Sequence, residues 1–461
     1  MNASKRLKIT VIGAGSVSFA PGTIRDILLS DRLNSAELDI CLMDISKNAL
    51  KVSETYARDV AKKLGRTPSI SSTTDLEASL READFVITAI EKNRYYYWSQ
   101  DFHVPRKYGF KQIYGENGGP GGMFHTLRNL PPMLEIAQAM ERICPDAWLI
   151  NFTNPEAKII EAISKLTKIK CVGLCHGIGM GREQLSKILQ MPEEDLETVA
   201  CGLNHFAWFQ SIKSRKTGED LYPLLKENER KIPWLAMWDE IALSRIMLRT
   251  YGLYPYPGTN HIGEYIRWSE EFLAGTRLQY FYDPRTEDPW KSGKIPDFVY
   301  SISHLEEKQL FAPEEAPNEM RKRFSLEEAD LKPSHEQAIP IIEAIAFGVR
   351  KDNLTVNMPN QGKIPGLPDD MVVEVPAYAD GNGIHPLQME ALPEAITEMI
   401  RVQGAIHKLV IEAYTEQSRN KLLQAVLLDP TVSTYNNAVA MINEMCELQK
   451  EILPPLHWQD V

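Results

Sequence analysis

The sequence predicts an α/β fold: a Rossmann-type parallel sheet in the first half and an α+β second lobe. Three observations predict it. Short apolar runs alternate with amphipathic stretches as far as Leu174. A glycine turn, Gly13-Ala14-Gly15-Ser16, directly follows the first apolar run, and Asp44 ends the second. Beyond about residue 200 the alternation is lost and helical patterns dominate.

The runs Lys8–Ile12, Leu38–Met43, Phe85–Ile90, Ala147–Phe152 and Lys170–Leu174 are rich in Val and Ile and read as buried strands. Helical patterns lie between them at Pro21–Leu29, Lys47–Lys63, Thr126–Arg142 and Glu156–Lys165. Strand and helix in alternation imply parallel strands with crossover helices. In the second half, helices are expected near Trp238–Arg249, Ser334–Phe347, from Pro393 and near Tyr435–Lys450, with a strand near Met371–Val375. Ser334 and Gln337 have capping-box spacing, which places a helix start there. Leu310–Met320 reads as a loop or linker. The division expected is residues 1–200 for a dinucleotide-binding domain and 201–461 for substrate binding and oligomerisation.

The 461 residues carry 51 basic and 62 acidic side chains, a net charge of -11, which disfavours a general nucleic-acid binder. The six cysteines are scattered and form no disulfide framework. No signal peptide or long apolar run is visible, so a cytoplasmic protein with no membrane partner is expected.

The glycine turn is the first chemical signal. Gly13 permits a tight turn and Gly15 lets backbone amides approach a pyrophosphate at a helix N-terminus. Ser18 replaces the third glycine of the usual fingerprint. Asp44, at the end of the second strand, suits an adenosine ribose and disfavours a 2′-phosphate, so NAD is favoured over NADP. Gly13, Gly15, Ser16 and Asp44 are the cofactor-binding candidates.

Later motifs carry the reacting groups. Gly173-Leu174-Cys175-His176-Gly177 ends a strand, and Cys201-Gly202-Leu203-Asn204-His205 begins another structured run. A Cys and a His brought together suit a borderline divalent metal with open positions. By spacing alone, Cys175 and His205 are more readily core residues. Gly115-Glu116-Asn117-Gly118-Gly119-Pro120-Gly121-Gly122 reads as a loop leading to a helix with His125 and Arg128. Asn151-Phe152-Thr153-Asn154-Pro155 puts amides at a central strand end, where open sheets bind ligands. His261 and Glu264 stand three apart beside tyrosines. The aromatic run Tyr95–Trp98 reads as a sugar-stacking wall or as core.

Taken in order, the Gly13–Ser16 turn, Asp44, Gly119–Gly122, Asn154-Pro155, Leu174-Cys175-His176, Leu203-Asn204-His205 and Val373-Glu374-Val375-Pro376 resemble the NAD- and manganese-dependent family-4 glycoside hydrolases. That family stands apart from the two-carboxylate glycosidases. The resemblance runs over nearly the whole chain. It implies a lactate/malate-dehydrogenase-like fold, NAD and Mn²⁺ as cofactors, and a homodimer or homotetramer. The implied chemistry is hydride removal at sugar C3, proton loss at C2, departure of the aglycone, water addition and re-reduction.

Cys175 and His205 are the implied metal ligands. Asn154 is the implied contact between sugar hydroxyls and nicotinamide. His176 is the implied aid to the leaving group, and its His-Gly context points to non-phosphorylated α-galactosides or α-glucosides, with α-uronides as the alternative. Glu116 is expected to orient substrate. The base departs from the family pattern: the candidates are His261, Tyr256 and Glu264, with His the best suited to proton transfer near neutrality. Arg94, Arg128 and Arg267 are candidate partners of a substrate carboxylate. A malate-type dehydrogenase and a non-catalytic NAD sensor are the competing readings.

Overall fold

A computed structural model describes residues 5–232, 241–272, 324, 326, 331–334 and 336–459. The predicted runs become β1 (Arg6–Ile12), β2 (Glu37–Met43), β4 (Phe85–Thr88), β5 (Trp148–Asn151) and β6 (Lys170–Gly173). Their core-facing residues are Ile, Val and Leu, as a strand covered on both faces requires. A further strand, β3 (Ser69–Thr73), pairs parallel with β2. It is the polar run SISST, buried only at Ile70, and it lies at the sheet edge. The order β3-β2-β1-β4-β5-β6 is that of the doubly wound dinucleotide fold.

The sheet does not stop at β6. It continues antiparallel through β10 (Lys351–Pro359), β11 (Val372–Asp380), β7 (Leu196–Leu203), β8 (Phe206–Ser214) and β9 (Tyr254–Tyr256), while β12 (Gly383–Pro386) pairs with β11. Asn357 of β10 stands opposite Gly173, and Glu374 of β11 opposite Gly202. One hydrophobic core therefore runs from Leu7 to Ile411 without a break between the halves. A separate cluster packs the C-terminal helices Glu394–Thr415, Arg419–Leu428 and Tyr435–Leu448 on Phe110 and Phe124.

Four local expectations change. The helix after the glycine-rich segment starts at Gly119 rather than Thr126. Gly121 and Gly122 lie inside it because a Cβ there would stand 2.4 Å from the Asp101 carbonyl oxygen and 2.7 Å from the Asn117 carbonyl carbon. The aromatic run opens an unforeseen helix, Arg94–Lys107, whose Tyr97 and Trp98 are buried. Trp98 Nε1 donates to the Tyr114 carbonyl at 2.8 Å, so this ring is core. The Ser334–Gln337 capping box does not form. The helix runs Ala338–Phe347; Ser334 instead donates to Asp26, and Gln337 accepts from the Thr355 amide at 2.7 Å. Tertiary partners outcompete the local cap. The helix expected from Trp238 is described as Ala242–Tyr251, and its first residues, like Leu310–Met320, lie outside the described residues. Among the described residues no helix is long and apolar enough to cross a membrane.

Candidate active site

The carboxyl ends of β1, β2, β4 and β5 border a cavity of about 1270 Å³. That exceeds the roughly 300–1,000 Å³ of an ordinary small-molecule cleft. Gly13 sits at its floor with φ +83, and a Cβ there would lie 2.2 Å from the Ala89 carbonyl oxygen. Only glycine fits. Gly15 has an additional reason to be glycine: a Cβ would meet that of Ala49 at 2.5 Å. The Gly15 amide donates to Asp44 Oδ2, and the Ser46 amide to Asp44 Oδ1, both at 2.8 Å. The acid is thus fixed by the turn it serves, with lone pairs left for hydroxyl donors. Ser16 lines the same cavity, and its Oγ accepts from the Phe19 amide at 3.4 Å.

Arg94 and Asn154 line the other end of the cavity and both reach Glu116. Arg94 Nη2 lies 2.6 Å from Glu116 Oε1, and Asn154 Nδ2 lies 3.4 Å from the same oxygen. Arg94 also stacks over Trp98, 4.7 Å from its ring. Burial opposes a charge on Glu116. Arg94, His125 and His261 more than offset that and hold the carboxyl below its ordinary range. Asn151, the other amide of that strand end, is spent locally: its Oδ1 accepts from Thr88 Oγ1 and the Thr153 amide, both at 2.9 Å.

The loop that carries Glu116 is pinned by buried charged groups. Glu264 Oε1 accepts from the amides of Glu116 at 2.7 Å and Asn117 at 3.0 Å. His125 reaches the Glu116 carbonyl at 2.8 Å through Nδ1 and Glu91 at 2.6 Å through Nε2. Lys158 donates to the Asn117 carbonyl. Burial and the Glu116 charge push the Glu264 carboxyl well up, against the pull of its amide donors. Glu264 therefore acts here as a loop anchor. Glu91 and Lys158 were not singled out from the sequence, and His125 was named only as part of the following helix, because the role of each is set by partners distant in the chain.

Arg128 borders the large cavity, but its guanidinium is committed elsewhere. It forms a two-pronged pair with Asp101, at 2.7 and 3.2 Å, and bonds Gln449 at 3.0 Å, with side-chain exposures of 1% for Arg128 and 0% for Asp101.

His205 occupies the tight turn between β7 and β8 with φ +62, an uncommon backbone for a non-glycine residue. Its ring lies 4.5 Å from that of His261, at the start of the short helix Thr259–Ile262. Ligand atoms of His205, His261 and Glu264 lie within 4.8 Å of one another. The Nδ1 atoms of both histidines are buried with no partner among the described residues. Burial drives His205 well below the usual imidazole range, and drives His261 down to about 4 with Glu116 resisting. Both are neutral at pH 7, as metal ligands or proton acceptors must be.

Cys175 lies outside that three-residue group. It follows β6, and its Sγ accepts from the Gly177 amide at 3.3 Å. Burial and the Glu374 charge push its thiol well up. His176 is half exposed, with Nδ1 3.5 Å from Glu336, and that hydrogen bond raises its pKa against burial. Tyr256 is fully buried and donates to Glu374 at 2.7 Å. Burial, followed by the Glu374 charge, pushes its hydroxyl well up. Thiol, imidazoles and buried carboxylates suit a borderline divalent cation, and the orphaned ring nitrogens are the observation that fits one.

Residues 8–191 match the Family 4 glycosyl hydrolase family and residues 200–432 match the Family 4 glycosyl hydrolase C-terminal domain. The chain is a family 4 glycosyl hydrolase. This family 4 enzyme is 31% identical to an alpha-glucosidase of Erwinia rhapontici, over 96% of each chain. It is 30% identical to an alpha-galactosidase of Bacillus subtilis, over 97% of this chain and 99% of that one. It is 27% identical to an alpha-galacturonidase of Thermoanaerobacter italicus, over 97% of each. Among solved structures, a 6-phospho-alpha-glucosidase from gut microorganisms in complex with NAD and Mn²⁺ superposes with a TM-score of 0.75 at 23% identity, covering 98% of this chain and 100% of that one. Malate dehydrogenase of Cryptosporidium parvum gives 0.51 at 15%, covering 89% and 99%. The dehydrogenase likeness thus holds for the fold of this glycosidase. The dehydrogenase and sensor readings of its activity are set aside.

Proposed function

We propose that this glycosidase hydrolyses α-glycosides of neutral, non-phosphorylated hexoses, an α-galactoside or α-glucoside, with NAD in the large cavity and a divalent cation, Mn²⁺ by preference, at Cys175 and His205. The supporting observation is the convergence on Glu116 of Arg94 and Asn154 from the cavity, while Glu264, grouped with His205 and His261, holds the Glu116 amide. When bound, NAD would supply reversible hydride acceptance at sugar C3 and the divalent cation would supply Lewis acidity.

The chain's own residues supply the rest. Asn154 and Glu116 offer an amide donor and a charged acceptor to sugar hydroxyls at the cavity end. Of the three base candidates, Tyr256 is tied to Glu374 and Glu264 to the loop amides, whereas His261 Nδ1 is free of partners among the described residues. His261 therefore takes the C2 proton, with the Glu116 charge favouring the imidazolium that results. His176 keeps its proton toward neutrality because of Glu336 and delivers it to the departing oxygen.

Neutral sugars are favoured over uronates by charge. Of the three candidate arginines, Arg94 already holds Glu116 and Arg128 holds Asp101, while Arg267 is exposed and is not among the residues lining the large cavity. A uronate would enter beside Glu116 with neither Arg94 nor Arg128 uncommitted to meet it. A panel of p-nitrophenyl α-galactoside, α-glucoside, α-galacturonide and α-glucuronide, assayed with NAD⁺ and Mn²⁺ under reducing conditions, tests this. A uronide cleaved faster than both neutral glycosides would overturn the neutral-sugar reading.

His261→Gln is expected to lower kcat by about 10²–10⁴-fold, the usual worth of a general base. Solvent deuterium exchange at C2 should be lost, while Mn²⁺ affinity remains at the wild-type level. Mn²⁺ affinity falling in parallel with rate would instead make His261 a ligand and not the base.

A further inference from the structure

Glu374 has no role in the chemistry described so far, yet it occupies a singular place. It lies on β11, the strand that joins the antiparallel half of the sheet to β10, and is 2% exposed. Three side chains from three parts of the chain donate to its carboxylate: Tyr256 Oη at 2.7 Å, Asn204 Nδ2 at 3.2 Å and Asn357 Nδ2 at 3.4 Å. No ion pair to Glu374 occurs among the described residues.

A second buried acid stands close by. Both oxygens of Glu156 are buried and unpartnered among the described residues, and burial, followed by the Glu374 charge, pushes its carboxyl well up. Glycine at Gly173 is what admits it: a Cβ there would lie 1.2 Å from Glu156 Oε1. Burying carboxylates without a cation is costly, and such groups are found paired or beside metals.

The link to the reacting centre is Asn204. This residue immediately precedes His205, and its side chain donates to Glu374 at 3.2 Å. Burial pushes the Glu374 carboxyl up, and the donors from Tyr256, Asn204 and Asn357 oppose that, so Asn204 stands with its NH₂ group toward Glu374.

We propose that Glu374 is a positioning residue for the divalent-cation site: by accepting from Asn204 it holds the turn that presents His205. Outer-sphere partners of this kind set ligand orientation and affinity. The proposal rests on the reading of Cys175 and His205 as cation ligands.

The test uses the full chain with NAD⁺. Mn²⁺ affinity is measured by electron paramagnetic resonance of free Mn²⁺, and Co²⁺ is added as a probe whose near-ultraviolet thiolate absorption reports on Cys175. Glu374→Gln is expected to weaken Mn²⁺ binding by about 10–100-fold and to diminish the cobalt–thiolate band, with E374D recovering part of both. Because Glu374 acts through Asn204, N204L should give the same loss, and the double variant no more than either alone. Should E374Q fail to fold, N204L reads the same relay from its other end.

A wild-type cobalt–thiolate band that persists unchanged in E374Q and N204L, with unchanged Mn²⁺ affinity, would overturn the role of Glu374 alone. Absence of that band from the wild-type protein would overturn the Cys175 ligand reading, and the proposal with it.

Discussion

Cys175→Ser is expected to lower turnover by about 10³-fold, roughly 4 kcal/mol of transition-state stabilisation, while NAD affinity stays unchanged. The separation follows from the layout. Cys175 follows β6 and does not line the large cavity, whereas Gly13, Gly15 and Asp44 do. Serine preserves the size of the side chain but replaces a soft sulfur donor by a hard hydroxyl that does not ionise near neutrality. The measurements are initial rates at saturating Mn²⁺ and equilibrium dialysis of NAD⁺. Near-wild-type rates in the serine variant would leave the proposed cation site without support. Loss of NAD binding would show that the two ends of the site are not independent.

Arg128→Met is expected to destabilise the protein by about 3–5 kcal/mol, the usual cost of removing one partner from a buried pair. Its guanidinium is 1% exposed and its partner Asp101 fully buried, with Gln449 bonded to both and the Tyr97 ring 5.2 Å away. Methionine would leave the Asp101 charge in a site that only a cation makes tolerable. Asp101→Asn should cost a comparable amount for the converse reason. Chemical denaturation followed by near-ultraviolet circular dichroism measures both. A variant of normal stability but sharply raised KM would instead place Arg128 in contact with substrate. The two outcomes separate a residue that holds the helices Arg94–Lys107 and Gly119–Ile143 together from one that reads the sugar.

The elements legible from sequence are those whose signal is local. Strands β1, β2, β4, β5 and β6 announce themselves by runs of Val, Ile and Leu because they are covered on both faces. The edge strand β3, with its polar SISST, carries no such run. The helix Arg94–Lys107 was hidden for a different reason: Trp98, Ser99, Gln100, Asp101, Phe102, His103 and Val104 are all buried, so no polar face marks its period. At the site, Gly13 and Asp44 were readable because turn chemistry constrains neighbours in sequence. Glu264 was named only as a candidate base, and its anchoring role was not legible, since its partner amides lie 148 and 147 residues away. The same holds for Glu374 and Tyr256, 118 residues apart. Family resemblance supplied the names of Cys175 and His205, but not the buried polar scaffold around them.

The pinning of the glycine-rich loop by Glu264 has a bearing on modularity. A fragment ending near residue 200 would keep the β1 turn, Asp44 and the parallel strands, yet it would lose the carboxylate that gathers the Glu116 and Asn117 amides. It would also bare the edge of β6 that β10 now covers, a ready template for pairing with another chain. The nucleotide half of this glycosidase is therefore not a self-standing cassette to be cut out or grafted. Chimeras that exchange substrate lobes between relatives would need to carry the 115–118 loop together with the 259–265 segment, as one heritable unit.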